Sequence, residues 1–188
     1  MPRLIMKWIL LALLVPTLAQ AAEAEAWQAL KEGRAMLLMR HANAPGTGDP
    51  PGFILERCDT QRNLDARGRA QAEAWGDRLR RHDITEARVY SSQYCRALDT
   101  ARLLGLGEVI PTPELNSFFL RRSQRSEQTQ ALRRFVAGLE PGLPVVLVSH
   151  QVNITALTSR FPASGEALIL ALPLEERVRV LASIRPGG

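Results

Sequence analysis

Short apolar runs alternate with amphipathic stretches along most of the chain. The first run, Ala35-Met36-Leu37-Leu38-Met39, has no polar position and ends abruptly in Arg40-His41. An unbroken apolar run of this length suits a strand covered on both faces, as in a parallel sheet. Residues 145–148 repeat the pattern and end in Ser149-His150, and residues 87–91 form a second strand ending in Ser91-Ser92. Val109-Ile110 begins a third, expected to continue to about Leu115 around two prolines. Residues 167–172 and 177–184 read as a closing strand pair.

Helical stretches separate these strands. Residues 23–32 form a short helix stopped by Gly33. Asp65 precedes a helix over 67–82, with Ala70, Ala74 and Leu79 expected inward. Its Arg78, Arg80 and Arg81 lie near the C-terminal end, where the helix dipole favours cations. Residues 93–104 are helical until Gly105 and Gly107. Ser126 suits the cap of a helix to about Leu139, ended by Pro141-Gly142, and 153–160 is a short helix. Alternating strands and helices predict an α/β fold, a three-layer α/β/α sandwich with a mostly parallel sheet. Ligands bind such sheets beyond the carboxyl ends of the strands. Parallel neighbours would bring Arg40-His41, Ser91-Ser92 and Ser149-His150 to one edge. Residues 42–63, with three Pro, three Gly and no period, form a long loop beside that edge, and long loops are often functional.

The first residues stand outside this pattern. Arg3 and Lys7 lead into an apolar stretch from Trp8 to Leu18, followed by Ala19-Gln20-Ala21. That is the layout of a signal peptide with an A-x-A cleavage site. The alternative is a membrane anchor, but the run is about half of the ~20 residues a spanning helix needs. No Cys follows it for lipid attachment, and no later stretch is long and apolar enough to span. Residues 1–21 are therefore read as a signal peptide and 22–188 as one domain, periplasmic or secreted, with no stable membrane insertion. Loss of Arg3 and Lys7 leaves 22 basic against 19 acidic residues, a net charge of +3. The positive charge is nearly all Arg, which binds phosphate and carboxylate in a bidentate manner. No basic stripe is interleaved with aromatics, so nucleic acid is not an expected partner. Composition leaves the oligomeric state open.

Two cysteines, Cys58 and Cys95, remain in an exported chain, which points to a disulfide; two buried thiols are the alternative. A bridge over this span would contribute about 3–4 kcal/mol by restricting the unfolded chain. Neither C-x-x-C nor H-x-x-x-H spacing occurs, so no metal or other cofactor is expected.

His41 and His150, two of three histidines, sit at the ends of buried strands. His82, near a helix end, reads as solvated or capping. Each residue has an ordinary explanation alone: a capped strand end for Arg40-His41, a surface helix residue for Arg96, a core histidine for His150. Together, two His and two Arg suit a dianionic phosphoryl group, because guanidinium forks match phosphate oxygens and a neutral imidazole is a nucleophile for phosphorus. The helix starting near Gln93 is expected to add N–H groups at the same edge.

At these positions the chain resembles the histidine phosphatase superfamily, of phosphoglycerate-mutase-like fold. The resemblance rests on Leu38-Met39-Arg40-His41-Ala42, on Asn63-Leu64-Asp65-Ala66-Arg67-Gly68-Arg69-Ala70-Gln71-Ala72, on Ser91-Ser92-Gln93-Tyr94-Cys95-Arg96-Ala97-Leu98-Asp99-Thr100-Ala101 and on Val148-Ser149-His150-Gln151-Val152-Asn153-Ile154. They occur in the family's order. Ala42 replaces the Gly of R-H-G, and Asp65 stands where Thr is usual. The layout is also similar to a small exported branch that includes lipopolysaccharide core heptose-phosphate phosphatases.

The resemblance implies that His41 is phosphorylated, that Arg40, Arg96 and His150 hold the phosphoryl oxygens, and that water hydrolyses the phosphohistidine without a metal. The implied partner is a small phosphorylated substrate, such as an envelope sugar phosphate. It also gives the cysteines a place: a bridge would tie the loop after His41 to the helix carrying Arg96. One position departs. The family's leaving-group acid falls on Ser117, and Glu114, three residues earlier, would point to the opposite face of a strand. Glu127, at the next helix start, is the candidate proton donor, unless it is an ordinary N-terminal helix acid. Without an acid, good leaving groups such as anomeric phosphates or phosphoramidates are favoured. A non-catalytic anion-binding module on the same fold is the alternative; a phosphosugar mutase fits poorly with export and Ser117.

Overall fold

The computed structural model describes residues 18–186. The expected signal segment therefore lies largely outside the described residues. Five α-helices and six strands are described: α1 Leu18–Lys31, β1 Ala35–Arg40, α2 Ala66–Arg81, β2 Arg88–Ser91, α3 Cys95–Leu103, β3 Val109–Pro111, α4 Arg125–Ala137, β4 Val145–Ser149, α5 Gln151–Thr158, β5 Ala167–Ala171 and β6 Val180–Ile184. One sheet holds the strands in the order β3-β2-β4-β1-β5-β6. β3, β2, β4 and β1 run parallel. The C-terminal β5 is antiparallel to β1, and β6 to β5.

β1 is buried on both faces because its side chains alternate between two cores. Leu37 and Met39 pack with Val89, Val146 and Val148 against α1, α2 and α3. Met36 and Leu38 pack with Val145, Leu147 and Leu168 against α4 and α5. This is the α/β/α sandwich expected from the apolar runs. The register pairs Arg40 with Ser149 and Ser91 with Val148. The polar residues after the three strands therefore leave the sheet at one edge.

Three local expectations change. The inward stripe of α2 is Gly68, Ala72, Trp75, Gly76 and Leu79, while Ala70 and Ala74 are exposed. Trp75 sets this stripe: its Nε1–H donates to Gly165 O at 2.7 Å, inside the core. β3 stops at Pro111, and Pro113–Leu115 is a 3-10 turn. Two prolines that cannot donate to the ladder end the strand there. Ser126 lies inside the first turn of α4 and does not cap it; Gln124 is the cap residue and gives no side-chain bond.

Gly68 holds the edge together. A Cβ there would lie 2.0 Å from the Asn43 carbonyl oxygen, so the helix touches the backbone just after His41. Asp65 caps α2 by accepting from Gly68 N–H at 2.7 Å and binds Asn43 Nδ2 at 2.8 Å. Gln71 accepts from Asn43 N–H at 2.9 Å. Asp65, Gly68 and Gln71, spaced by three, thus form one clamp on the start of the loop. Ala42, in place of the usual Gly, is fully buried against Leu64 and Ala72. Gly68→Ala is expected to lower stability by about 1–3 kcal/mol, as overpacking does. Thermal unfolding against the wild type measures this; an unchanged midpoint would show that the clamp yields freely.

Candidate active site

His41 begins where β1 ends, and its backbone is held on all sides. Its N–H donates to Ser149 O at 2.9 Å, and its carbonyl accepts from Gly165 N–H at 3.0 Å. Ala42 N–H donates to Thr100 Oγ1 at 3.0 Å. The ring is buried, with Nδ1 at 2.8 Å from the Ala42 carbonyl. A carbonyl only accepts, so Nδ1 carries the proton and Nε2 keeps its lone pair. Arg96 Nε–H points at that lone pair from 3.3 Å. His150 lies beside it, ring centroids 5.3 Å apart.

The second imidazole is oriented by a chain of bonds. Asn116 Oδ1 accepts from Gln93 N–H at 2.8 Å and from Ser92 Oγ–H at 3.0 Å. The single hydroxyl proton of Ser92 is thereby committed, so His150 Nε2, 2.7 Å from Ser92 Oγ, is the donor. Asn153 Nδ2 braces the Asn116 carbonyl at 2.8 Å. Both histidines are held neutral. Burial pushes each well below its ordinary value of 6.5; the Arg96 charge adds to this, and Arg40 and Arg62 act in the same direction.

Three guanidinium groups line the same pocket: Arg40, Arg62 and Arg96. Arg40 NH1 donates to Pro162 O at 3.0 Å, but its Nε is buried without a partner. Burial, and then Arg96, lower Arg40 below its usual value. Arg62 falls to about 10, chiefly through burial and secondly through Arg96. It holds the loop by donating to Gly48 O at 2.7 Å and to Ala44 O. Asp49 is the one carboxylate among the lining residues. Its oxygens accept from Arg96 NH1 and NH2 at 2.7 and 3.0 Å, with both side chains almost wholly buried. Tyr94 packs its ring 4.7 Å from the Arg96 guanidinium carbon and 4.8 Å from the His150 ring.

The structure thus brings Arg40, His41, Arg96 and His150 to one pocket, with Ser117 on its wall. Glu127 is not brought in. It is exposed on the first turn of α4 and absent from the pocket wall. The reason is the neighbouring Gln128, whose amide reaches Pro113 O at 2.9 Å and Asn116 O at 3.3 Å. That residue, one step on, turns its face of the helix towards the site. The expected free N–H groups before α3 are also taken. Gln93, Tyr94 and Cys95 N–H donate to Asn116 Oδ1, Ser92 Oγ and Gln61 Oε1. Cys58 and Cys95 are joined in a disulfide, Cα–Cα 5.6 Å, which ties the loop to α3. His82 caps α2 and stacks on Trp27 at 3.9 Å. Asp49, Arg62, Ser92 and Asn116 carried no assigned role in the sequence. Their only signal there was position: two inside the long loop, two beside the polar strand ends.

Comparison with known proteins identifies the family. A sequence model of the histidine phosphatase superfamily (branch 1) matches residues 36–134, ending before His150. The chain belongs to the histidine phosphatase superfamily and is by class a phosphoric monoester hydrolase. Among solved structures, the protein histidine phosphatase SixA complexed with tungstate has a TM-score of 0.57 at 16% identity, covering 81% of this chain and 97% of that one. SixA from Agrobacterium tumefaciens has a TM-score of 0.56 at 21% identity, with 82% and 99% covered. A mycobacterial glucosyl-3-phosphoglycerate phosphatase complexed with VO3 has a TM-score of 0.57 at 20% identity, with 78% and 96% covered. At these identities the likeness is one of fold. No curated protein sequence matches the chain.

The depressed histidines set a pH dependence. At pH 6 an unperturbed histidine is mostly protonated, whereas His41 and His150 are expected to be neutral. The unfolded state then binds more protons than the folded one, so stability falls as pH drops below about 6.5. Imidazole nitrogen shifts across pH 5–8 check this; titration of either ring at 6.5 or above would contradict the burial argument.

Proposed function

We propose that the protein hydrolyses phosphomonoesters through a phosphohistidine on His41, without a metal ion and outside the cytoplasm. The observation that carries the reading is the unprotonated Nε2 of His41 facing Arg96 Nε–H at 3.3 Å. A nucleophile and an oxyanion donor meet there in a pocket rich in guanidinium groups. Nε2 attacks phosphorus; the N–P bond forms as the bond to the leaving oxygen breaks. Arg40, Arg62 and Arg96 face the phosphoryl oxygens, and the His150 ring stands beside them with its one proton, on Nε2, committed to Ser92. Water then takes the phosphoryl group, Nε2 recovers its lone pair, and inorganic phosphate departs. The polar groups of the pocket act by charge and hydrogen bonding, and among the described residues no three His, Cys, Asp or Glu side chains come together as a metal site.

The leaving oxygen takes its proton from solvent in this scheme. Ser117 occupies the acid position, and Asp49 is engaged with Arg96. Substrates whose leaving group departs as a weak base are therefore favoured: anomeric sugar phosphates, including those of the cell envelope, or phosphoramidates. The likeness in fold to the protein histidine phosphatase SixA supports the second chemistry. The Ser117 position also keeps a second reading in view, a module on this fold that binds phosphorylated glycans without turnover.

Two features support export. Among the described side chains of α1 the first buried one is Ala26, so cleavage after Ala21 removes none of the described core. The Cys58–Cys95 bridge suits an oxidising compartment. No helix among the described residues is long and apolar enough to cross a membrane.

His41→Ala is expected to reduce p-nitrophenyl phosphate hydrolysis by several orders of magnitude while the protein stays folded. In the wild type, labelled phosphate should be trapped on His41 as an acid-labile, alkali-stable adduct. Unaltered turnover by the variant would refute the mechanism, and phosphate binding without turnover would establish the binding module. Cell fractionation checks the second claim: the protein should appear outside the cytoplasm, shortened by 21 residues, with its cysteines oxidised.

A further inference from the structure

The N–H groups of Arg96 can be accounted for one by one. A guanidinium carries five, arranged as an end-on fork (NH1 and NH2) and a side-on fork (Nε and NH2). NH1 donates to Asp49 Oδ1 at 2.7 Å and to Arg62 O at 3.3 Å, which uses both of its hydrogens. NH2 donates one hydrogen to Asp49 Oδ2 at 3.0 Å. The two that remain, on Nε and NH2, form the side-on fork, and Nε–H is the one aimed at His41 Nε2. We infer that Asp49 is a positioning residue: it grips the end-on fork of Arg96 so that the side-on fork is presented to the phosphoryl group on His41.

The grip is built rather than incidental. The Asp49 side chain is 4% exposed, and its Oδ1 also accepts Arg62 N–H at 3.1 Å. The Arg62 side chain fastens the same turn by donating to Gly48 O. The Tyr94 ring covers one face of the guanidinium, which stops it from rotating out of plane. Asp49 shares the pocket with three cations and two neutral imidazoles: Arg96 from α3, Arg62 from the loop, Arg40 at the end of β1, and the rings of His41 and His150. The carboxylate therefore has two effects. It offsets part of the buried positive charge before substrate arrives, and it fixes which edge of Arg96 is free. A carboxylate bound where phosphate must bind would instead compete with substrate. Removing a competitor, or a negative charge alone, tightens phosphate and vanadate alike, whereas removing a positioner weakens vanadate relative to phosphate.

The inference rests on the phosphohistidine reading, and the experiment separates the two. Inhibition constants for inorganic phosphate and for vanadate are measured with wild type, Asp49→Asn and Asp49→Glu, alongside kcat and KM for p-nitrophenyl phosphate. Asp49→Asn keeps the shape but puts an amide N–H against NH2. It is expected to lose about 100-fold in kcat/KM, as a misplaced group does. Vanadate, which resembles the transferring phosphoryl group, should weaken more than phosphate, and Asp49→Glu should restore part of both. A ratio of the vanadate to the phosphate inhibition constant that is unchanged in Asp49→Asn, whichever way both move, overturns the inference. Should Asp49→Asn fail to fold, the wild type decides by arginine side-chain NMR. On adding phosphate, Arg96 Nε–H should shift while the Asp49 carboxyl carbon does not; a shift of that carbon to an unpaired value refutes positioning. If the wild type neither turns over nor forms phosphohistidine, the functional reading fails, and the NMR result still stands or falls for Asp49.

Discussion

Three guanidinium groups share one buried pocket with a single carboxylate. Positive charge taken out of water is costly unless it is paired. Here Arg96 is paired with Asp49, while Arg40 keeps a buried Nε without a partner and Arg62 is lowered to about 10. Much of the site follows from this imbalance. Two imidazoles, buried and then beside such charge, stay neutral, which is the state a nucleophile needs. The uncompensated donors face a space that suits an anion with several oxygens. The affinity of the pocket for a dianion and the nucleophilicity of His41 are thus two results of the same crowding.

Holding like charges together requires a rigid surround, and the loop over residues 42–63 supplies it. The clamp of Asp65, Gly68 and Gln71 on Asn43 fastens its start. The Cys58–Cys95 bridge and the bond from Cys95 N–H to Gln61 fasten its end to α3. Between them, Arg62 ties the backbone at Ala44 and Gly48 and so presents Asp49 to Arg96. The loop that carries the balancing charge is therefore anchored to the helix that carries the charge it balances. On the opposite wall, Asn116 follows the 3-10 turn that replaces the end of β3, and it orients His150 through Ser92.

Legibility followed periodicity. β1 and β4 were plain because an unbroken apolar run has one low-energy solution, a strand with cores on both faces. Their polar ends were plain for the same reason, since side chains leaving a parallel sheet at its carboxyl edge reach a cleft. The inward face of α2 departs from its pattern at Ala70 and Ala74, because small residues pack equally well in or out and the large Trp75 settles the rotation. Glu127 lies off the site because a helix N-terminus near a pocket does not fix which side of its first turn faces it.

By itself, the sequence determined the layering, the strand ends and the kinds of side chain that meet there, because local hydrophobic pattern decides which residues are buried. Tertiary structure alone decided that Asp49 meets Arg96 across 47 residues of chain, that Arg62 joins the pocket, and that the N–H groups before α3 are already bonded. Those outcomes depend on the path of an aperiodic loop. Such a path is set by distant anchors, a disulfide and a buried ion pair, rather than by the residues next to it.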